Sequence, residues 1–300
     1  MLAKGGAFRQ MGKRMRVVLA TAAALVAFAA NSLLCRAALG GGGADAASFT
    51  FLRLASGAAV LLLLSRGMGG ARGGSWLSAA ALFVYAAAFS FAYFFLSAGV
   101  GALLLFGAVQ VTMIGVGIAA GERPPPAVWA GLLLALGGLV HLSLRGARAP
   151  SPGGTALMLA AGIAWGVYSL RGRRAGPPLP ATADNFRRAA PLAALVWIAA
   201  AIAGRNHMTP EGAALAAASG AITSGLGYVA WYSALPYLTA ARAAVLQLSV
   251  PVLAAAGGVL LLGEVLTARL VVAGAAILAG IALATRSPAR PSGSRTARAA

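Results

Sequence analysis

Five carboxylates, two histidines and one cysteine are all that this 300-residue chain offers for proton transfer, nucleophilic attack or metal ligation. Asp45, Asp184, Glu122, Glu211 and Glu264 are predicted in loops or at the ends of apolar runs, and His141 and His207 are far apart in sequence. No two carboxylates stand at helical spacing, no group has metal-ligand spacing, and no Ser, His and acid form a recognisable motif. Enzyme chemistry therefore has few parts to work with, and neither a cofactor nor a metal is expected. Cys35 is alone, permits no internal disulfide, and reads as a buried core thiol.

Residues suited to binding are better grouped. Leu82, Tyr85, Phe89 and Tyr93 recur at spacings of three and four; so do Phe106, Gln110 and Met113, and again Ser224, Tyr228 and Trp231. Each set forms one stripe on a helix, and Trp165 with Tyr168 adds a fourth aromatic pair. A Tyr, Trp or Gln facing lipid at mid-depth would leave its polar group without a partner, so these faces are expected to point inward. A mostly apolar cavity with a few oriented polar groups suits a ligand that is apolar with polar ends. Asn31, Gln110 and Gln247 are the mid-depth amides, able to hold such an end or to tie helices together. For the aromatics the competing role is packing or an interfacial belt, which Trp76, Trp129 and Trp197 fit.

Arginines inside apolar runs are costly, and mark either function or anchoring by snorkelling. Arg53 and Arg188 occupy matching places in a repeat described below, which favours an architectural role for both. Arg242 opens a run without such a counterpart and faces either a ligand carboxylate or the membrane interface. Proton-driven carriers commonly use an acid or histidine within the membrane; none falls mid-run here, which leaves uniport or exchange open. Glu122 and Glu264 each follow a glycine at the end of a run. There the glycine makes a turn and the acid is expected near the positive end of the next helix.

The elements that carry these residues follow from composition. The chain is 60% hydrophobic and 10% charged with mean hydropathy +0.85, whereas soluble domains average about 25% charged residues. Apolar stretches fall at about 17–36, 48–66, 76–96, 99–120, 127–145, 154–171, 185–203, 212–234, 240–262 and 268–285, each near the roughly 20 residues that cross a bilayer. The prediction is an all-α polytopic membrane protein with ten transmembrane helices. The softest boundary is Ser97 to Gly101, where a tight glycine-containing turn is expected. Pro251 in the ninth run, and Pro191 in the seventh, should kink their helices, and Pro251 is the candidate hinge. Ala27-Phe28-Ala29 resembles a signal cleavage site after Lys13, Arg14 and Arg16, but the run continues apolar to Cys35 and is expected to remain as a helix.

Charge sets the orientation. Of 24 Lys and Arg residues against five acids, net +19, fifteen fall on the side of the termini and five on the other. Both termini are therefore expected on the cytoplasmic side. That placement explains the basic balance through topology and gives no reason to expect nucleic acid. The tail from Arg286 is rich in Arg, Ser and Pro, is expected to be disordered, and suits anionic lipid.

The chain also repeats itself. Gly121-Glu122 ends the fourth run and Gly263-Glu264 the ninth, followed by helices carrying Gly131 and Gly137, and Gly274 and Gly280. Phe51-Leu52-Arg53 matches Phe186-Arg187-Arg188, and the first run ends at Arg36 as the sixth ends at Arg171. The layout is a tail 1–15, a five-helix repeat 16–145, a linker 146–153, a second repeat 154–285 and a tail 286–300. Five is an odd number, so the second repeat enters from the opposite face, the inverted arrangement of alternating-access carriers.

With these pieces in place, the sequence resembles the drug/metabolite transporter superfamily, in particular its ten-helix, two-repeat EamA-type exporters. The resemblance covers about residues 16–285. It rests on the run Gly101-Ala102-Leu103-Leu104-Leu105-Phe106-Gly107-Ala108-Val109-Gln110, the paired Gly-Glu ends, and Pro251 lying 13 residues before Glu264. The first half departs from it, with Val109 where that proline would fall. Within the superfamily the chain looks most like bacterial exporters of aromatic amino acids. The resemblance implies a small-molecule carrier, monomeric or weakly dimeric, with the fifth and tenth helices outside the cavity. Tyr85, Tyr93, Trp165, Tyr228 and Trp231 would stack on a ring, with Phe89, Phe106 and Tyr168 beside them. Asn31, Gln110, Gln247 and Arg242 would hold the polar end. A multidrug or nucleotide-sugar-like carrier of the same fold, and more distantly a membrane-embedded enzyme, are the alternatives.

Overall fold

A computed structural model describes residues 2–93, 95–96, 98–143, 151–262 and 268–286. Among them the only β pairing is an isolated bridge between Ala44 and Met208; everything else is helix and connection. The helices are α1 (Leu2–Cys35, prolonged as a π-helix through Arg36–Gly40), α2 (Ala46–Ser65), α3 (Trp76–Ala92), α4 (Ala98–Ala119), α5 (Pro126–Ser143), α6 (Pro152–Gly172) and α7 (Pro178–Ile202). Next come α8 (Pro210–Ala218), a π-helical stretch Ser219–Leu226 and α9 (Gly227–Ala234), which run on as one rod. The chain ends with α10 (Ala240–Gln247), α11 (Ser249–Leu262) and α12 (Ala268–Arg286).

Local chemistry accounts for most boundaries. Asp45, Ser75, Ser151, Thr209 and Thr239 each accept a backbone N–H in the first turn of the helix that follows, the role these short polar side chains fill best. Pro152 and Pro210 sit directly after their caps, where the missing N–H has no intrahelical partner to lose. Gly121 adopts φ +90°, and the Glu122 amide then donates to the Gly117 carbonyl at 2.8 Å, closing α4 as the glycine there predicted. The break between α10 and α11 falls at Leu248. The Pro251 nitrogen, which has no proton to give, would otherwise bond the Gln247 carbonyl. Pro191, by contrast, lies within an unbroken α7.

Three expectations need correction. The α3–α4 break comes at Tyr93 to Leu96, and Gly101 lies inside α4, so no glycine makes that turn. Helix α7 begins at Pro178, seven residues before the apolar run, which places Asp184 inside a helix rather than in a loop; its charge is held by neighbours, so hydropathy alone missed the first two turns. Helix α1 likewise extends back to Leu2. Glu264, residues 146–150 of the linker and residues 287–300 of the tail lie outside the described residues.

The distribution of polarity is that of a multi-pass membrane protein. Arg14–Gly40, Ala46–Met68, Pro152–Gly172, Pro210–Tyr237 and Ala240–Leu261 are long and apolar enough to cross a membrane, and four shorter helices are comparably apolar. Val111, Leu133, Leu195, Ile202 and Leu260 face outward, whereas Asn31, Arg53, Ser90, Gln110, Ser169, Ser224 and Gln247 are buried. Polar side chains in lipid would lack partners, so they face the helix bundle.

Packing follows a regular scheme. Helix α2 lies against α7, α5 against α12 and α4 against α10. Helix α6 packs on α3 and α4, and α1 packs on α9 and α11. At the α5–α12 contact a Cβ on Gly131 would overlap the Gly280 carbonyl oxygen, and one on Gly280 the Gly131 carbonyl oxygen, the close backbone approach that small residues permit in membranes.

Candidate functional site

The stripes read from the sequence converge. Trp165 of α6 stands at the centre, with ring centroids 5.1 Å from Phe28 of α1, 4.9 Å from Tyr85 of α3, 4.8 Å from Tyr228 of α9 and 5.8 Å from Tyr168 one turn along α6. Phe89 and then Tyr93 extend the α3 stripe at 5.7 and 4.9 Å. Trp231 meets Phe28 at 5.7 Å and donates its indole N–H to Ser169 Oγ at 3.1 Å. Most of these pairs are tilted or edge-on, the arrangement the ring quadrupole favours, each contributing about 0.5–1.5 kcal/mol beyond its buried area. Phe28 belongs to this cage although the sequence reading passed over it as part of a cleavage-like triplet. Phe106 is buried on α4 without a ring contact to the cage.

Arg53 closes one side of the cage. It is 1% exposed, and in α2 it lies well inside the helix. Its Nε donates to Ser224 Oγ and its Nη2 to the Tyr228 hydroxyl, both at 2.8 Å, while the guanidinium lies 5.5 Å above the Tyr85 ring. Nη1 makes no hydrogen bond. Among the described residues the carboxylates that form ion pairs are Glu122, with Arg173, and Asp184, with Arg187 and Arg188; none pairs with Arg53. The seat exists because Gly220 has no side chain. A Cβ there would overlap the Arg53 carbonyl oxygen, and one turn further along the π-helical stretch Ser224 meets the guanidinium. Extra-wide helical turns of this kind occur often at functional sites.

The amides are buried and engaged. Gln247 of α10 accepts the indole N–H of Trp165 and donates to the Ala243 carbonyl and Met113 Sδ. Gln110 of α4 donates to the Ala244 carbonyl at 2.9 Å, leaving its Oε1 unpartnered. Asn31 of α1 accepts from Ser219 at 2.6 Å and from Thr223 at 3.2 Å. Asn31 and Gln110 each tie two segments together, and Gln247 ties three helices. Arg242 is half-buried in the first turn of α10, two residues after Ala240, whose amide Glu122 accepts.

That cleft, of about 680 Å³, opens at one face and is lined by Ser75, Ser78, Gly117, Glu122, Leu170, Arg171, Arg173 and Arg174 among others. Leu170 is five residues beyond Trp165 on α6, about 7 Å along a helix axis. On the same stretch of α6, Tyr232 donates its hydroxyl to the Tyr168 carbonyl at 3.1 Å and its ring covers Gly172, while Trp231 bonds Ser169, the neighbour of cleft-lining Leu170. Glu122 does not serve α5, the next helix, as expected. It accepts the Ala240 and Ala241 amides at the start of α10, which packs on α4, and pairs with Arg173 at 2.9 Å.

Two sets of ties hold the ends of the bundle. On the cleft face Arg72 N–H donates to the Pro180 carbonyl, Gly74 N–H to Asp184 and Ser75 N–H to Asn185. At the other end of α2, Asp45 accepts the amides of Ala47, Ser48 and His207, and Thr209 bonds Gly43 through backbone and side chain. Burial would raise the Asp45 pKa, but these hydrogen bonds outweigh it and hold the carboxyl below its ordinary range. Among the described residues no three of His, Cys, Asp or Glu gather where a metal could bind.

Known proteins place this architecture. Residues 152–286 match the EamA-like transporter family. The uncharacterized protein PA1977 of Pseudomonas aeruginosa is 57% identical over 271 residues, which cover 89% of this chain and 94% of that protein. A solved crystal structure of a protein shares the fold, with a TM-score of 0.75 at 22% identity over 90% of this chain and 97% of its own.

Proposed function

We propose that this chain, which belongs to the EamA-like transporter family, exports small amphipathic metabolites, aromatic amino acids foremost, by alternating access. The observation that carries the substrate class is the cage around Trp165, in which aromatic rings from α1, α3, α6 and α9 meet a few oriented polar groups. Such a compartment rewards a ring with a polar end. On this reading the rings fill the cage in the arrangement described, and Tyr232 with Trp231 forms the layer that separates it from the cleft. A substrate enters as that layer and the α10–α11 break at Leu248 move. The cleft is then the vestibule of an inward-facing carrier, closed at its far end by the Asp45–His207 and Gly43–Thr209 ties.

An inverted two-repeat layout of ten spans underlies this reading, counting α8 to α9 and α10 to α11 as one span each. The packing scheme supports it: exchange of the two halves turns the α6–α3 contact into α1–α9, turns α6–α4 into α1–α11, and leaves α2–α7, α5–α12 and α4–α10 unchanged. The same exchange relates the tie between the α1–α2 and α7–α8 connections to the one between the α2–α3 connection and the first turns of α7. With the cleft face cytoplasmic, Arg66, Arg72, Arg123, Arg171, Arg173 and Arg174 lie on that side, in keeping with the charge rule for an inner-membrane protein.

Counterflow into proteoliposomes holding the purified protein tests the reading, with labelled Phe, Tyr and Trp against Ala, Leu and Glu, each with and without a pH gradient. Exchange selective for aromatic amino acids and indifferent to the gradient is expected. A folded protein that exchanges none of the three aromatic amino acids sinks the substrate assignment.

A further inference from the structure

A fully buried guanidinium with no carboxylate beside it among the described residues is an expensive arrangement. Ser224 and Tyr228 each satisfy one N–H group, and both are neutral. The Tyr85 ring adds a cation–π contact. Nη1 makes no hydrogen bond, and one turn earlier on the same face of α2 Thr50 Oγ1 is also buried without one. The interior here therefore carries one uncompensated positive charge together with unused hydrogen-bonding capacity, at the rim of the aromatic cage.

The repeat shows that the missing counter-ion is a property of the sequence. Arg188 stands where Arg53 does in the second half, and four residues before it Asp184 supplies both carboxylate oxygens to its guanidinium at 3.1 Å. Four residues before Arg53 the chain has Phe49, fully buried. The same helical position that neutralises one arginine leaves the other without an acid.

We infer that Arg53 binds the carboxylate of the transported molecule, with Nη1 as the unused donor, and so makes an anionic group next to the ring a requirement for transport. Ser224 and Tyr228 are positioning residues that hold the planar fork in the cage wall. A carboxylate entering here completes the hydrogen bonding of the guanidinium and cancels its charge, while its ring takes the place of cage aromatics beside Trp165. This rests on the aromatic-carrier reading and narrows it: aromatic acids and amino acids are substrates, whereas aromatic amines, amides and hydrophobic cations are not.

The test uses the full chain in proteoliposomes, with counterflow of labelled L-tryptophan competed by 3-phenylpropionate and by its neutral amide. In the wild type the acid is expected to compete at least ~10-fold better than the amide, because the amide leaves the buried charge unpaired. In Arg53→Gln the two become equal. Arg53→Lys, which keeps the charge but not the fork, retains part of the preference, and Arg188→Gln, whose arginine is already paired, retains all of it. Equal competition by acid and amide in the wild type, or an undiminished preference for the acid in folded Arg53→Gln, overturns the inference while tryptophan exchange itself keeps the carrier reading. Should Arg53→Gln fail to fold, the wild-type comparison and Arg53→Lys decide. Absence of tryptophan exchange by folded wild-type protein removes the aromatic reading and the role of Arg53 with it.

Discussion

In α2, Arg53 is surrounded by Ser224, Tyr228 and Tyr85 and is sealed from solvent. In α7, 135 residues later, Arg188 sits 5.3 Å above the ring of Trp76, which is 62% exposed, and shares Asp184 with Arg187. The flanking aromatics diverge as well. Phe51 stacks on peripheral Trp197 at 5.2 Å, while Phe186, its counterpart, is fully buried with its ring 5.8 Å from Tyr228. The two segments match in sequence and differ in a counter-ion. The segment around Arg188 serves a bundle end, where Asp184 and Asn185 clasp the loop at Gly74 and Ser75. The segment around Arg53, similar in sequence, holds its charge inside.

Placing the acid of the second half into the first breaks the contrast most directly. Phe49→Asp puts a carboxylate one turn from Arg53, where it competes with substrate at an effective concentration in the millimolar range or above. Counterflow of L-tryptophan is expected to fall about 100-fold or more on that basis, with the folded fraction read by gel filtration; an unchanged rate would remove Arg53 from the binding site.

A smaller effect is expected from Gly220→Ala. Its methyl group has no room against the Arg53 carbonyl oxygen and Ser56, so α2 and the π-helical stretch must separate, at a cost of about 2 kcal/mol. Thermal unfolding in detergent measures the loss, and the shift of Ser224 away from the guanidinium should weaken acid-over-amide selectivity at the same time.

Asp184→Asn sharpens the comparison from the other side. Arg187 and Arg188 are partly exposed and can turn to water, so the ion pairs themselves contribute little. With the Gly74 amide keeping a neutral acceptor, about 1 kcal/mol of stability should be lost. The selectivity measured at Arg53 should not change; a change would mean that the two arginines act as one electrostatic unit.

Much of this was legible in the chain. The apolar runs located most helices, Gly121 closed α4 as its position foretold, Pro251 marked the break at Leu248, and the three stripes that hold Tyr85, Gln110 and Tyr228 do face inward. Residues whose meaning depends on a distant partner were read less well. Arg53 was weighed as architecture because Arg188 matched it, although the sequence already held the distinguishing signal, Asp184 against Phe49 four residues earlier. Glu122 was assigned to the helix that follows it, and its amide partners lie 118 and 119 residues away in sequence.

Hydropathy and helical periodicity depend only on near neighbours, so residue order alone determined that this is a helical membrane protein and which faces of its helices are polar. The encounter of four aromatic-bearing helices at Trp165, the interlock at Gly220 and the isolation of the Arg53 charge depend on how the helices cross. Those were decided by the tertiary structure, because whether a buried charge is paired is a matter of distances between segments that the sequence keeps more than a hundred residues apart.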